Sequence, residues 1–267
     1  KFKPEIIFND TLNTNKNYTK KLKNLCPILI NFEDLGAGRK NADLVFNPIY
    51  YDKNSAREFY GHKFACVRDE FRVSKIPKIK KNVKKIAITF GGTDPTDKTF
   101  HVLSTLKKHN LYKIQVNIIL GLGYTKKSHL HKLITSMRDI GFTINLVEKS
   151  DNIAKFIRNC DFVITSNGRT VFEIAAMKIP MIAIAVNERE RKHSFVARTK
   201  SGFQINTSSK YIDNVLDKYI FKILDKKTRE YFLKKLIKND ILSGLPLVVN
   251  KINKKYYDYS QINTKFS

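Results

Sequence analysis

Hydrophobic positions in this chain fall into short unbroken runs, separated by longer stretches in which apolar residues recur every three or four positions. The runs read as strands buried on both faces, and the amphipathic stretches as helices laid across them. The pattern predicts strands over 5–8, 27–32, 42–46 and 59–67, with one lysine-rich helix over 14–24. From residue 85 the alternation becomes regular. Strands are predicted over 85–90, 114–120, 142–147, 161–165 and 180–186, with a short run at 204–206, and helices over 98–109, 126–139, 152–159, 171–178, 210–222 and 227–238. Such alternation predicts an α/β fold with doubly wound parallel sheets. The charged, proline-containing run 73–84 has no apolar period and reads as a connection. It divides the chain into a first domain over 1–75, a linker over 76–84 and a second domain over 85–267.

The first domain looks incomplete by this reading. Three or four strands with one helix leave one face of a parallel sheet bare, so about half of a domain is expected upstream of residue 1. The first residue is Lys1 rather than Met.

Composition narrows the class. With 42% hydrophobic residues in 267, the chain can bury one large or two modest cores. Its longest apolar run is about seven residues, against roughly 20 for a bilayer span, and nothing near residue 1 reads as a signal peptide. Cys26, Cys66 and Cys160 are scattered without metal-binding spacing, which suits reduced thiols and a cytoplasmic location. The formal charge of +26 makes attraction to nucleic acid or an anionic membrane surface physically available. The excess is dispersed lysine, accompanied by asparagine and isoleucine as an AT-rich coding sequence would give, and no nucleic-acid motif accompanies it. An anionic membrane surface therefore stays on the list of partners, and no specific nucleic acid is expected.

Candidate chemistry gathers at the carboxyl ends of predicted strands, where open α/β sheets bind ligands. After the run 161–165 come Ser166, Asn167, Gly168, Arg169 and Thr170, then a helix. After 180–186 comes the polar cluster 187–193. Hydroxyl, amide and free N–H donors before a helix suit a diphosphate, and Glu173, one turn further in, could accept both hydroxyls of a ribose. The competing reading is structural: Thr170 and Glu173 also fit a capping box, in which the glutamate satisfies the cap amide. Gly91, Gly92 and Thr93 after the strand 85–90 would let backbone amides approach a phosphate, or form an ordinary turn. Asp97 stands where a P-loop needs glycine, and Gly121-Leu122-Gly123 lacks the third glycine of a dinucleotide fingerprint. His129 and His131 lie on different helix faces, and no DxD occurs, so no metal site is suggested.

Five stretches together resemble a known family: NFEDLGAG (31–38), YGHKFACVRDEF (60–71), TFGGTDP (89–95), TSNGRTVFE (165–173) and NERERKH (187–193). In this order they resemble the spore-coat polysaccharide SpsG family, related to the UDP-sugar hydrolase of pseudaminic acid synthesis (PseG) and to MurG-type glycosyltransferases. The resemblance implies a glycosyltransferase-B architecture of two Rossmann-like domains, the N-terminal one truncated here, with the nucleotide held mainly by the second. It implies that Gly91, Gly92, Thr93, Ser166, Asn167, Gly168, Thr170 and Glu173 bind nucleotide, that Asn187, Glu188, His193 and Arg68 lie on the sugar side, and that no metal or other cofactor is needed. The family's glycine-rich first loop with its catalytic histidine has no counterpart here, so the general base is expected upstream. The function implied is a UDP-sugar hydrolase or glycosyltransferase of surface polysaccharide or nonulosonic acid synthesis, with the UDP-sugar as substrate. The rivals are a catalytically silent nucleotide-sugar-binding domain of a bifunctional protein, and a basic nucleic-acid or membrane-surface module.

Overall fold

In the computed structural model, residues 3–72, 75–109, 111, 113–206 and 212–264 are described; Val73 and Ser74 of the connection, and positions 210 and 211 at the start of one expected helix, lie outside them. The chain divides into two compact units, Lys1–Cys66 with Ile241–Ser267, and Val67–Asp240.

The first unit is built on four parallel strands, β1 (Ile6–Asn9), β2 (Ile28–Phe32), β3 (Leu44–Asn47) and β4 (Glu58–Tyr60), in sequence order across the sheet. Its register aligns Phe32 with Phe46 and Phe46 with Phe59, and the rings stack at centroid distances of 5.6 and 5.2 Å. Such cross-strand aromatic pairs add to the stabilisation from burial alone. Helix α1 (Lys16–Lys23) brings Leu22 against Cys26, Leu29 and Val45 on one face.

The opposite face is covered by a 21-residue helix that the apolar pattern did not predict, running over Gly244–Thr264 at the end of the chain. It presents Val248, 2% exposed, and Ile252 to Ile28, Ile30, Leu44, Phe46 and Phe59. Residues 241–267 thus pack with the first unit rather than with the second domain, where the pattern had assigned them. The sheet thus carries a helix on each face. The run 59–67 is also shorter in strand than expected: β4 stops at Tyr60, and turns of 3-10 helix follow at His62–Phe64 and Asp69–Phe71.

The second unit carries six parallel strands: β5 (Lys85–Thr89), β6 (Gln115–Ile119), β7 (Ile144–Val147), β8 (Phe162–Ser166), β9 (Met181–Ile184) and β10 (Gly202–Ile205). Their spatial order is β10-β9-β8-β5-β6-β7, so the chain moves outward one way from β5 and then outward the other way from β8. Helices α2 (Lys98–Lys108), α3 (Lys127–Asp139), α4 (Ala154–Ile157), α5 (Thr170–Ala176), α6 (Glu188–Arg191), α7 (Phe195–Thr199), α8 (Ile212–Leu224) and α9 (Lys226–Lys238) connect and flank them; the terminal helix is α10. β8 is buried at all five positions, as a central parallel strand must be. At its amino end Asp161 accepts from the backbone N–H groups of Lys84 and Lys85 at 2.8 and 3.0 Å, locking β5 beside β8. Arg229, fully buried, donates to the last carbonyls of α8, Ile223 and Leu224, and to the carbonyl of Lys81. Among the described residues no helix is long and apolar enough to cross a membrane.

A Cβ on Gly244 would lie 2.0 Å from the Ala65 carbonyl oxygen, so the start of α10 closes against that backbone only as glycine. Gly244→Ala should cost about 1–3 kcal/mol, read as a lower urea midpoint at unchanged slope. Wild-type stability in that variant would mean that α10 is not seated this way.

Candidate functional site

The strand order reverses between β5 and β8, so the loops leaving their carboxyl ends diverge and open a crevice. On the β5 side the chain turns at Gly91, φ +72°, into Gly92 and Thr93. The loop after β6 lies directly upon this turn. A Cβ on Gly121 would stand 2.2 Å from the Gly92 oxygen and 2.3 Å from that of Gly91, and the Gly123 N–H donates to the Gly92 carbonyl at 2.9 Å. Gly121-Leu122-Gly123 is therefore the packing partner of the Gly91-Gly92 turn, and it leaves Leu122 at the loop tip 85% exposed. Gly92 itself has no neighbour within 4 Å of a would-be Cβ, so packing does not require glycine there. The amides at the start of α2 are already taken: buried Asp94 accepts from Lys98 and Thr99 N–H groups, both at 2.8 Å.

On the β8 side, the loop is held by a buried polar lattice. Asn167, fully buried, donates its side-chain amide to the carbonyls of Glu190 (2.8 Å) and His193 (3.0 Å). One oxygen of Glu190 accepts from the N–H groups of Asn167 and Val186, each at 3.1 Å, tying the loop after β8 to the end of β9. Burial raises the Glu190 pKa, and those two N–H groups oppose the rise. Nδ1 of His193 lies 2.7 Å from the Asn167 carbonyl oxygen, which can only accept, so Nδ1 carries the proton. Burial lowers the His193 pKa to about 4, against the opposing effect of that bond, and the ring is neutral near pH 7. Asn187 caps α6 by accepting from the Glu190 N–H at 2.9 Å, and Glu188 pairs with Arg191 in solvent.

Between the two loops lies a cavity of about 390 Å³, within the range of small-molecule sites. Of the expected nucleotide-binding residues, Gly91, Gly92, Thr170 and Glu173 line it, joined by Arg68; Thr93, Ser166, Asn167 and Gly168 are not on its wall, nor are Asn187, Glu188 and His193. His193 belongs to the lattice behind the loop, its Nδ1 bonded to the Asn167 carbonyl. The capping box does not form: α5 begins at Thr170, its cap is Arg169 without a side-chain cap bond, and the Glu173 carboxylate accepts instead from Arg68 Nε at 3.1 Å. Burial raises the Glu173 pKa and Arg68 opposes the rise. Arg68 also reaches Glu70 at 3.1 Å and lies over the Phe71 ring.

The pattern-based reading missed the third wall, formed by Glu148, Lys149, Ser150 and Asp151 after β7, with Ile153 beyond. The signal was present as a polar cluster at a strand's carboxyl end, the same feature that marked the other loops. Arg169 was passed over as well, and it lines the cavity beside Thr170.

No family model matches the chain. An uncharacterized protein of Methanocaldococcus jannaschii, MJ1062, is 30% identical over 205 residues, covering 71% of this chain; the chain spans 42% of that protein's length. Among solved structures, a spinosyn rhamnosyltransferase complexed with thymidine diphosphate superposes with a TM-score of 0.61 at 13% identity, covering 91% of this chain and 70% of its own. Acinetobacter baumannii MurG gives 0.57 at 14% identity, covering 80% and 62%. Anabaena HepE in complex with UDP-glucose gives 0.55 at 11% identity, covering 94% and 79%. The fold is of the glycosyltransferase-B class. In these glycosyltransferase-B terms, the six-stranded unit contains the crevice described above, with its strand order reversing beside it.

Two outcomes follow from the loop geometry. Gly121→Ala, which must displace the Gly91-Gly92 backbone, should lower stability by roughly 1–3 kcal/mol, whereas Gly92→Ala should unfold within about 0.5 kcal/mol of wild type. Equal stabilities would refute the loop-on-loop contact. For His193 the folded pKa lies below its ordinary 6.5, so between pH 6.5 and about 4 the unfolded chain binds the extra proton and stability falls as pH falls. The raised carboxyl of Glu190 has the opposite slope. The measurement is therefore the difference between wild type and His193→Asn, expected to lose about 3 kcal/mol of its value across that window; parallel pH profiles would show that the ring is not held neutral.

Proposed function

We propose that this chain is the nucleotide-sugar-binding part of an enzyme that cleaves the anomeric C–O bond of a UDP-linked sugar and passes the glycosyl group on in surface-polysaccharide synthesis. The observation that carries the reading is Glu173, a half-buried carboxylate in the cavity at the strand-order reversal, relieved of any capping duty. Its two oxygens can accept both hydroxyls of a ribose. The apolar residues Leu120, Val147 and Ile153 on the neighbouring walls offer a surface for the base. The open backbone at Gly92, with Thr170, Arg169 and Arg68, would face the diphosphate, where developing negative charge on the leaving group needs support.

Arg68 pairs with Glu173, so in this reading ribose displaces it and frees its guanidinium for phosphate. The cationic side chains then meet the diphosphate charge without a cofactor. Transfer to a sugar hydroxyl is favoured by the company of fold neighbours; hydrolysis breaks the same bond with water as acceptor, and the motif resemblance to the pseudaminic-pathway hydrolase keeps that chemistry within the family of reactions. A nonulosonic acid pathway and a cytoplasmic place of action belong to the same reading.

Calorimetric titration with UDP tests it. Saturable binding is expected, with Glu173→Ala roughly 10- to 100-fold weaker and Glu173→Gln between the two, because hydrogen bonds to a charged acceptor are worth about 1.5–3 kcal/mol. Equal affinity of wild type and Glu173→Ala removes the ribose assignment, and absence of any saturable UDP heat removes the nucleotide reading.

A further inference from the structure

A second cavity, of about 600 Å³, lies at the opposite edge of the six-stranded sheet. It is bounded by the end of α4, the residue before β8, the end of α5 and the connection that leads into β5. β8 separates it from the nucleotide cavity, and five residues at about 3.3 Å each put the two roughly 16 Å apart.

Its wall is strongly one-sided in charge. Arg72, Lys75, Lys78, Lys80 and Arg158 line it, against the single carboxylate of Asp161. That carboxylate is committed, one oxygen to the N–H groups of Lys84 and Lys85 and the other to Lys80 at 3.8 Å. It cannot neutralise the rest. Arg158 is positioned by donating to the Glu70 carbonyl at 3.2 Å; Arg72 meets exposed Asp69 through Nε at 3.9 Å, while its Nη1 is buried without a hydrogen-bond partner. A concave wall focuses the field of such charges more than a convex lysine surface does. Dispersed lysine explains the chain's +26 as a whole, but it does not gather five cations around one cavity.

We infer that this cavity is a binding site for a compact polyanion carrying at least two phosphate groups, separate from the nucleotide site. Five cations exceed what one phosphate can engage, since an arginine grips a phosphate through a bidentate fork and lysines add point charges around it. A free polyphosphorylated metabolite and a lipid headgroup with two phosphates present the same chemistry, and the cavity's size admits either.

The test uses the full chain and inorganic tripolyphosphate in calorimetry at moderate salt. Saturable binding is expected in wild type and in Glu173→Ala alike. Lys75→Glu with Lys78→Glu, both exposed positions that should leave the fold intact, is expected to weaken binding at least tenfold. Lys20→Glu with Lys21→Glu, an exposed pair on α1, is expected to change it little. The inference is overturned if wild type shows no saturable binding, if reversal at 75 and 78 has no effect, or if reversal at 20 and 21 has the same effect, which would make the attraction a diffuse property of the surface. Co-sedimentation with phosphatidylcholine vesicles containing cardiolipin then separates the sources: pelleting that tripolyphosphate competes away, and that the 75/78 pair loses, identifies a lipid headgroup, and no pelleting identifies a soluble ligand.

Discussion

A parallel sheet buried on both faces has no surface on which to bind a ligand except its edges, and this constraint orders the second unit. Covered by helices, its strands present only loops at either end. Where the strand order reverses, between β5 and β8, neighbouring loops leave in opposite directions and cannot fill the space between them. The 390 Å³ cavity occupies that space. Its walls come from the ends of β5, β6, β7 and β8, and three devices stiffen them: backbone laid on backbone between the β5 and β6 loops at Gly121, a helix cap at Asp94, and the lattice of Asn167, Glu190 and His193.

Those devices divide labour among the polar residues. Groups that hold the loops are bonded to backbone within the protein, and desolvation moves their protonation: Glu190 is pushed up and His193 down. Groups that could hold a ligand are half-buried and joined to a partner that can leave. Arg68 is more than half exposed, so its bond to Glu173 is accessible to competition from solvent or ligand in a way that the Asn167 bonds are not. Polarity and proximity to a strand end were common to both sets, and the partner separates them: backbone amides and carbonyls for Glu190 and His193, the exposed Arg68 guanidinium for Glu173.

This is why the sequence carried so much of the fold and less of the site. Strands such as β5 and β8 were legible because continuous β-branched runs leave few alternatives, and the pattern placed them within a residue or so of where they lie. Helix α10 was not legible: its apolar residues keep no clean period, Pro246 sits in its first turn, and the surface it covers belongs to strands about 200 residues earlier. At the site, the choice between a capping box and a free carboxylate could not be made from residues 170–173, because it is decided by Arg68, 105 positions away. His193 was chosen for its chemistry, yet its ring is committed to the Asn167 carbonyl, a long-range contact without local signature.

Charge shows the same limit from the other side. Counted along the sequence, lysine is spread almost evenly and argues for a coding bias. Folding changes the count into a geometry, because helix ends and a connecting segment remote in sequence converge at the amino edge of β5 and β8. There Asp161 serves two purposes at once. By accepting from Lys84 and Lys85 it aligns the two central strands, and with its other oxygen on Lys80 it leaves Lys75, Lys78 and Arg158 with no second carboxylate among the residues lining the cavity. The cationic character of that edge thus follows from side chains of the connection and of the end of α4 meeting where the one lining carboxylate is already committed to strand register.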